Sequence, residues 1–251
     1  MIINKQKRIG NVIIFAEGEN PEFEIIENIF HKFLGYSVIK SKRSDKIVVE
    51  LKGHDKYSNI IILNTPTSNI NSLNDVNSFF DFIFNEYALP LNIDTTNNPV
   101  YFVFDRDPYN NRKGVVEKLL TKLNNSQNDI EEQNGLLILS YPSLESFTIS
   151  LFEKNSNEIK IALGKDVKGY VDSKKYRNTI NEETLTRAVS IFVEFLLKNC
   201  IVESNNEVSQ KLDSIGVEIF KIQDKLYSKE KLFYCVSQIV EILIDLQIIV
   251  L

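Results

Sequence analysis

Two unbroken apolar runs that each stop at acids constrain this chain more than any other feature. Val12 to Ala16 ends at Glu17-Gly18, and Val100 to Phe104 ends at Asp105-Arg106-Asp107-Pro108. Runs of this kind predict strands buried on both faces, as in a parallel sheet covered by helices. The residues after the first run fit that plan. Asn20 can cap a helix and Pro21 can open it, with Phe23, Ile26, Ile29, Phe30 and Phe33 at helical spacing.

Segments 36–40, 46–51 and 59–63 read as strands, the first two joined through the polar turn Arg43 to Asp45. A helix is expected over 72–87 and another near 112–124. The Asn/Gln/Glu-rich stretch 124–134 reads as a solvated loop, followed by a strand from Gly135 to Ser140 and a helix opened by Pro142. The alternation predicts an α/β architecture, a mostly parallel sheet flanked by helices.

The tail differs in kind. Leu185, Ala188, Val189, Phe192, Phe195 and Leu196 mark one amphipathic helix, and Val208, Leu212, Ile215, Ile219, Ile222 and Leu226 mark a second. A third is expected over 229–249. Residues 164–177 are polar, with Lys165, Lys168, Lys174, Lys175 and Arg177 against Asp166 and Asp172. The expected plan is therefore an α/β domain over 1–160, a basic linker over 161–180 and a C-terminal helical appendage over 181–251.

With 251 residues, 43% of them hydrophobic, the chain can bury a sizeable core. The run ending at Ala16 is too short for a signal peptide or membrane span, and no later run approaches about 18 apolar residues. The expected location is the cytoplasm. Cys200 and Cys235 lie in apolar helical patterns and read as buried thiols, which leaves nothing to build a disulfide framework or zinc ribbon. His31 and His54 have no partner at ligand spacing. A net charge of −5 means that nucleic-acid binding must rest on a local basic patch, a partner or bound cations.

In open parallel sheets, ligands collect beyond the carboxyl ends of strands, where these two runs deliver their carboxylates. Asp105 and Asp107, two apart in an extended segment, share a side, and Glu17 joins them if its strand is adjacent. Oxygen ligands of this type suit a hard cation such as Mg²⁺. The competing reading is that acids follow strands because turns are polar. Glu145, in the first turn of the helix after Pro142, either adds a ligand or complements the helix dipole. Glu19 and Glu22 carry the same ambiguity.

The strand ending in Glu17-Gly18 resembles the strand-Glu-Gly signature of Toprim domains, and the strand ending in Asp105-Arg106-Asp107 resembles their Asp-x-Asp strand. The nearest likeness is to the OLD-type and RloB-type nucleases of phage-defence systems. Their last-strand element, a serine-rich turn, a proline and a glutamate, is similar to Ser140-Tyr141-Pro142-Ser143-Leu144-Glu145. The resemblance spans residues 10 to 155. It implies a Toprim-like fold in which Asp105 and Asp107 ligate Mg²⁺ or Mn²⁺, Glu17 is a further ligand or the base, and Glu145 completes or orients the metal position.

On that basis the expected activity is metal-dependent cleavage of DNA or structured RNA in anti-phage defence. Arg106, Arg112 and Lys113 are candidate phosphate contacts, although a solvated helix start explains the last two equally well. The stretch carrying Lys174, Lys175, Arg177, Tyr170 and Tyr176 is a candidate nucleic-acid loop or a solvated linker. A rival is an interaction subunit that works with an ATPase partner. Another is phosphoryl transfer at Asp105 as nucleophile, which Pro108 and the mid-chain position fit poorly. A homodimer is expected through the apolar tail.

Overall fold

A computed structural model describes residues 1–17, 21–43, 46–65, 76–106, 108, 113–127, 135–177 and 179–251. In chain order the elements are β1 (Ile2–Ile3), β2 (Gly10–Glu17), α1 (Pro21–Glu27) continued by a π-helical stretch (Asn28–Phe33), β3 (Ser37–Arg43), β4 (Lys46–Lys52) and β5 (Ser58–Thr65). Next come α2 (Val76–Ile83), continued over Phe84–Ala88, then β6 (Val100–Asp105), α3 (Lys113–Lys122), β7 (Asn124–Asn125), β8 (Gly135–Tyr141) and α4 (Glu145–Phe152). The remainder is β9 (Lys160–Ile161), α5 (Gly164–Lys174), α6 (Glu182–Lys198), α7 (Leu212–Glu230), β10 (Phe233–Tyr234), β11 (Val236–Ser237), α8 (Ile239–Asp245) and β12 (Ile249–Val250).

The fold is α/β, with a sheet of eight strands in the order β11-β8-β6-β2-β5-β4-β3 and β7 paired on β8. The expectation of a mostly parallel sheet is corrected, because the sheet is mixed. β2 runs parallel to β5 and β6, whereas β3 with β4, β4 with β5, β7 with β8 and β11 with β8 are antiparallel. Connections of a few residues between β3, β4 and β5 leave no room for a crossover, so those strands must reverse direction.

The chain divides into two compact units. One holds residues 8–103 and 108–137. Here β2 is in register with β5 from Gly10 opposite Ser58 to Glu17 opposite Thr65, and with β6 from Ile13 opposite Val100 to Ala16 opposite Val103. Flanked on both edges, Val12 to Ala16 are buried, as the apolar run predicts. Phe102 stacks on Phe15 with centroids 5.3 Å apart and meets Phe79 of α2 edge-on at 5.2 Å.

The other unit holds residues 1–7, 104–107 and 138–251. Its core includes Ile149 of α4, Val167 of α5 and Cys235, with Ile159, Ile161, Tyr170 and Val171 packed against them. The expected linker over 161–180 is corrected: it contains helix α5, anchored by the fully buried Val167. The tail is no separate helical appendage either, because residues 181–251 share this unit with α4 and supply β11. The third helix expected over 229–249 is broken into β10, β11, α8 and β12. Of the two cysteines, Cys235 is buried as expected, but Cys200 is exposed in the turn after α6. Among the described residues no helix is long and apolar enough to cross a membrane.

Candidate functional site

Glu17 ends β2 in the first unit and is partly buried. Beside it, the Thr65 hydroxyl donates to the Ala16 carbonyl at 3.1 Å, which ties the carboxyl ends of β2 and β5 together. Asp105 ends β6 in the other unit. Its Oδ1 accepts the backbone N–H of Leu144 at 2.8 Å. Leu144 is the residue immediately before α4, so the carboxylate satisfies an N–H that a helix start leaves without a partner and lies at the positive end of the dipole.

Glu145 comes next, as the first residue of α4. Its side chain is 10% exposed, with Oε1 3.4 Å from Lys168 Nζ of α5. Its Oε2 is buried and has no hydrogen-bond partner, and the same is true of Ser143 Oγ. Two of the expected acids, Asp105 and Glu145, are therefore both placed at the start of α4, one through its bond to the Leu144 amide and the other through its position in the chain. Asp107 and Arg112 lie outside the described residues. Among the described residues no group of three or more His, Cys, Asp or Glu side chains is placed to hold a metal ion.

As a donor set, carboxylate oxygens suit a hard divalent cation. An orphaned buried oxygen on Glu145 fits such an ion, and Lys168 supplies a positive charge at that carboxylate instead. Arg106 does not fit its expected role as a phosphate contact. It is 4% exposed, and its guanidinium carbon lies 5.5 Å from the centroid of the Phe220 ring in α7. Its backbone N–H donates to the Ser140 carbonyl at 2.8 Å.

Lys113 is exposed at the start of α3. On α5 and the turn beyond it, Lys165, Lys168, Lys174, Lys175 and Arg177 are all exposed, so the basic residues do form a solvated face. The two tyrosines among them are committed to packing. Both hydroxyls donate to Glu153 Oε1, Tyr176 at 2.6 Å and Tyr170 at 3.0 Å, while Tyr176 stacks on Phe152 at 4.6 Å. The hydrogen bond to Glu153 pushes the Tyr176 phenol up to about 12, and the same pair of donors holds Glu153 below its ordinary range.

Sequence reasoning missed a buried polar group in the same unit. Glu241 of α8 is fully buried; Gln238 Nε2 donates to its Oε1 at 2.8 Å, and its Oε2 has no partner. Burial pushes this carboxyl up to about 8, with Asp245 adding to the rise and the Gln238 bond opposing it. Gln238 Oε1 in turn accepts the Leu139 N–H at 3.0 Å. The Tyr141 hydroxyl, also buried without a partner, is raised by burial, lowered by the Arg106 charge and raised again by Glu241 and Asp224. The signal was a single acid inside the apolar run from Ile239 to Ile244.

The chain matches no family model, no curated protein and no solved structure.

Proposed function

We propose that this chain is a divalent-metal-dependent nuclease of Toprim type that hydrolyses phosphodiester bonds in DNA or structured RNA. The observation that carries the reading is the placement of two acids, Asp105 and Glu145, at the start of α4. Asp105, at the carboxyl end of a buried strand, is held there by the Leu144 amide, and Glu145, the residue after Leu144, keeps a buried oxygen without a partner. Asp105, Asp107 and Glu145 would hold Mg²⁺ or Mn²⁺, with Glu17 as a further ligand or as the base that takes a proton from the attacking water. When bound, such an ion polarises the phosphodiester and stabilises charge developing on its oxygens. Lys113 and the exposed lysines of α5 supply positive charge for a nucleic-acid backbone. A role in bacterial anti-phage defence, action in the cytoplasm and a homodimeric state belong to the same proposal.

A second reading, an interaction subunit that needs an ATPase partner and has little activity alone, is favoured by the Lys168–Glu145 ion pair, which already satisfies one oxygen of that carboxylate. Cleavage of plasmid DNA and total RNA with Mg²⁺ or Mn²⁺ separates the two. The nuclease reading expects cutting by the wild-type chain that is lost in Asp105→Ala and in Glu17→Ala. Cutting that survives both substitutions rejects the site, and no cutting of any substrate favours the partner-dependent subunit.

A further inference from the structure

Arg106 sits between the two strand-end aspartates yet points into the core. At 4% exposed, its guanidinium has lost nearly all its hydration, a costly arrangement that persists only where surrounding groups compensate. The surroundings are specific. Phe220 of α7 presents its ring face at 5.5 Å, and the Arg106 charge acts on the buried hydroxyl of Tyr141, the last residue of β8. Glu241 from α8 and Asp224 from α7 act on that same hydroxyl. Arg106 thus lies against α7, and the groups that act on Tyr141 beside it come from the C-terminal helices α7 and α8.

The neighbours of this cluster in the chain are the acids themselves. Asp105 precedes Arg106, and the two part at once: the carboxylate bonds the Leu144 amide, while the guanidinium lies over the Phe220 ring. Tyr141 immediately precedes the turn Pro142 to Leu144, whose last amide bonds Asp105. Arg106 also donates its backbone N–H to Ser140, one residue before Tyr141.

We propose that Arg106 is a positioning residue, which ties the carboxyl end of β6 to α7 and to the end of β8 and so fixes the orientation of Asp105 at the start of α4. The C-terminal helices then act on the acids from behind without touching substrate. The functional half rests on the nuclease reading above; the geometric half does not.

The full-length chain is tested as wild type, Arg106→Met, Arg106→Lys and Asp105→Ala. Hydrogen exchange at the Leu144 amide reports the geometry, with amides of α6 such as that of Leu196 as the internal reference. Arg106→Met is expected to speed Leu144 exchange by about tenfold or more while the α6 amides stay within about twofold, the pattern of a local opening. Arg106→Lys keeps the charge but not the planar group, and gives an intermediate increase of about two- to fivefold. If the Met variant does not fold, the Lys variant decides.

In cleavage assays the Mn²⁺ concentration for half-maximal rate rises by about tenfold in Arg106→Met with KM for plasmid unchanged, and Arg106→Lys recovers part of it. Wild-type exchange at Leu144 in either Arg106 variant overturns the proposal. So does a raised plasmid KM at an unchanged Mn²⁺ midpoint, the signature of direct phosphate contact. If the wild-type chain does not cleave, or Asp105→Ala still does, the nuclease reading fails while Leu144 exchange still judges Arg106.

Discussion

The Asp105 carboxylate caps α4 from a different element, accepting the Leu144 amide at 2.8 Å across 39 positions of sequence. In the proposed nuclease site the same side chain would also hold a cation, and two substitutions separate the two tasks. Asp105→Asn keeps an oxygen acceptor but loses the charge at the helix N-terminus, worth about 0.3–1 kcal/mol. Asp105→Ala loses the acceptor too, and the cost rises to about 1–2 kcal/mol. Chemical denaturation should rank wild type above Asn above Ala, while cation-dependent cleavage is lost in both variants. Equal stabilities for Asn and Ala would remove the cap, and cleavage by the Asn variant would remove the metal role.

The strands that end in acids were legible because burial on both faces leaves a continuous apolar run that few other structures explain. The start of α4 was legible from Pro142 and Glu145. The segment from Phe233 to Ser237 was not, because its apolar residues fit a helical period as well as a strand. What decides it is non-local: Ser237 bonds Ser140, 97 positions away, through hydroxyls 2.7 Å apart. Helix α5 was hidden by its own surface, whose lysines and aspartates outnumber the inner stripe of Val167, Tyr170 and Val171. As for the site, the sequence placed Asp105 at a strand end and Glu145 in the first turn of a helix, but nothing local shows that Asp105 bonds that helix start, that Arg106 turns inward or that Glu241 is buried.

Glu241 makes stability depend on pH in a definite direction. Its carboxyl titrates at about 8 when folded, above the ordinary carboxylate value, so the folded state holds a proton that the unfolded state has released. The stability it contributes is fully present below the unfolded pKa and is lost as pH rises through the folded one. Wild-type stability should fall between about pH 5 and pH 8, with a slope approaching 1.4 kcal/mol per pH unit at most. Glu241→Gln is permanently neutral and should flatten that slope, matching wild type near pH 5 and exceeding it near pH 8. Denaturant melts across this range provide the check, and parallel curves for the two proteins would refute the assignment.

Gln238 links that acid to the sheet. Its side chain accepts the Leu139 N–H and donates to Glu241, so Gln238→Leu leaves two buried polar groups without partners. A cost of about 1–3 kcal/mol is expected from the stranded amide alone. Since the Gln238 bond lowers the Glu241 carboxyl, its loss should also push that titration higher. A double-mutant cycle with Glu241→Leu measures the coupling, and the double variant should be less destabilised than the sum of the singles by about 0.5 kcal/mol or more. Strict additivity would mean that the two side chains do not act together.

In the other unit, the opening of β8 depends on a missing side chain. A Cβ on Gly135 would lie 2.4 Å from Phe102 Cε2 and 2.9 Å from its Cδ2, far inside van der Waals contact. The ring cannot swing aside cheaply, because Phe102 is fully buried between Phe15 and Phe79. Gly135→Ala should therefore destabilise the chain by about 1–3 kcal/mol, even though alanine reduces the entropy of the unfolded state by about 0.4–1 kcal/mol. Phe102→Leu alone should destabilise the core as well, but combined with Gly135→Ala it opens the space the new methyl needs. The double variant should then be more stable than the sum of the two losses, and thermal melts of all four proteins measure the difference. A Gly135→Ala protein as stable as wild type would show that the aromatic layer beneath β8 can repack, and would remove close packing as the reason for glycine there.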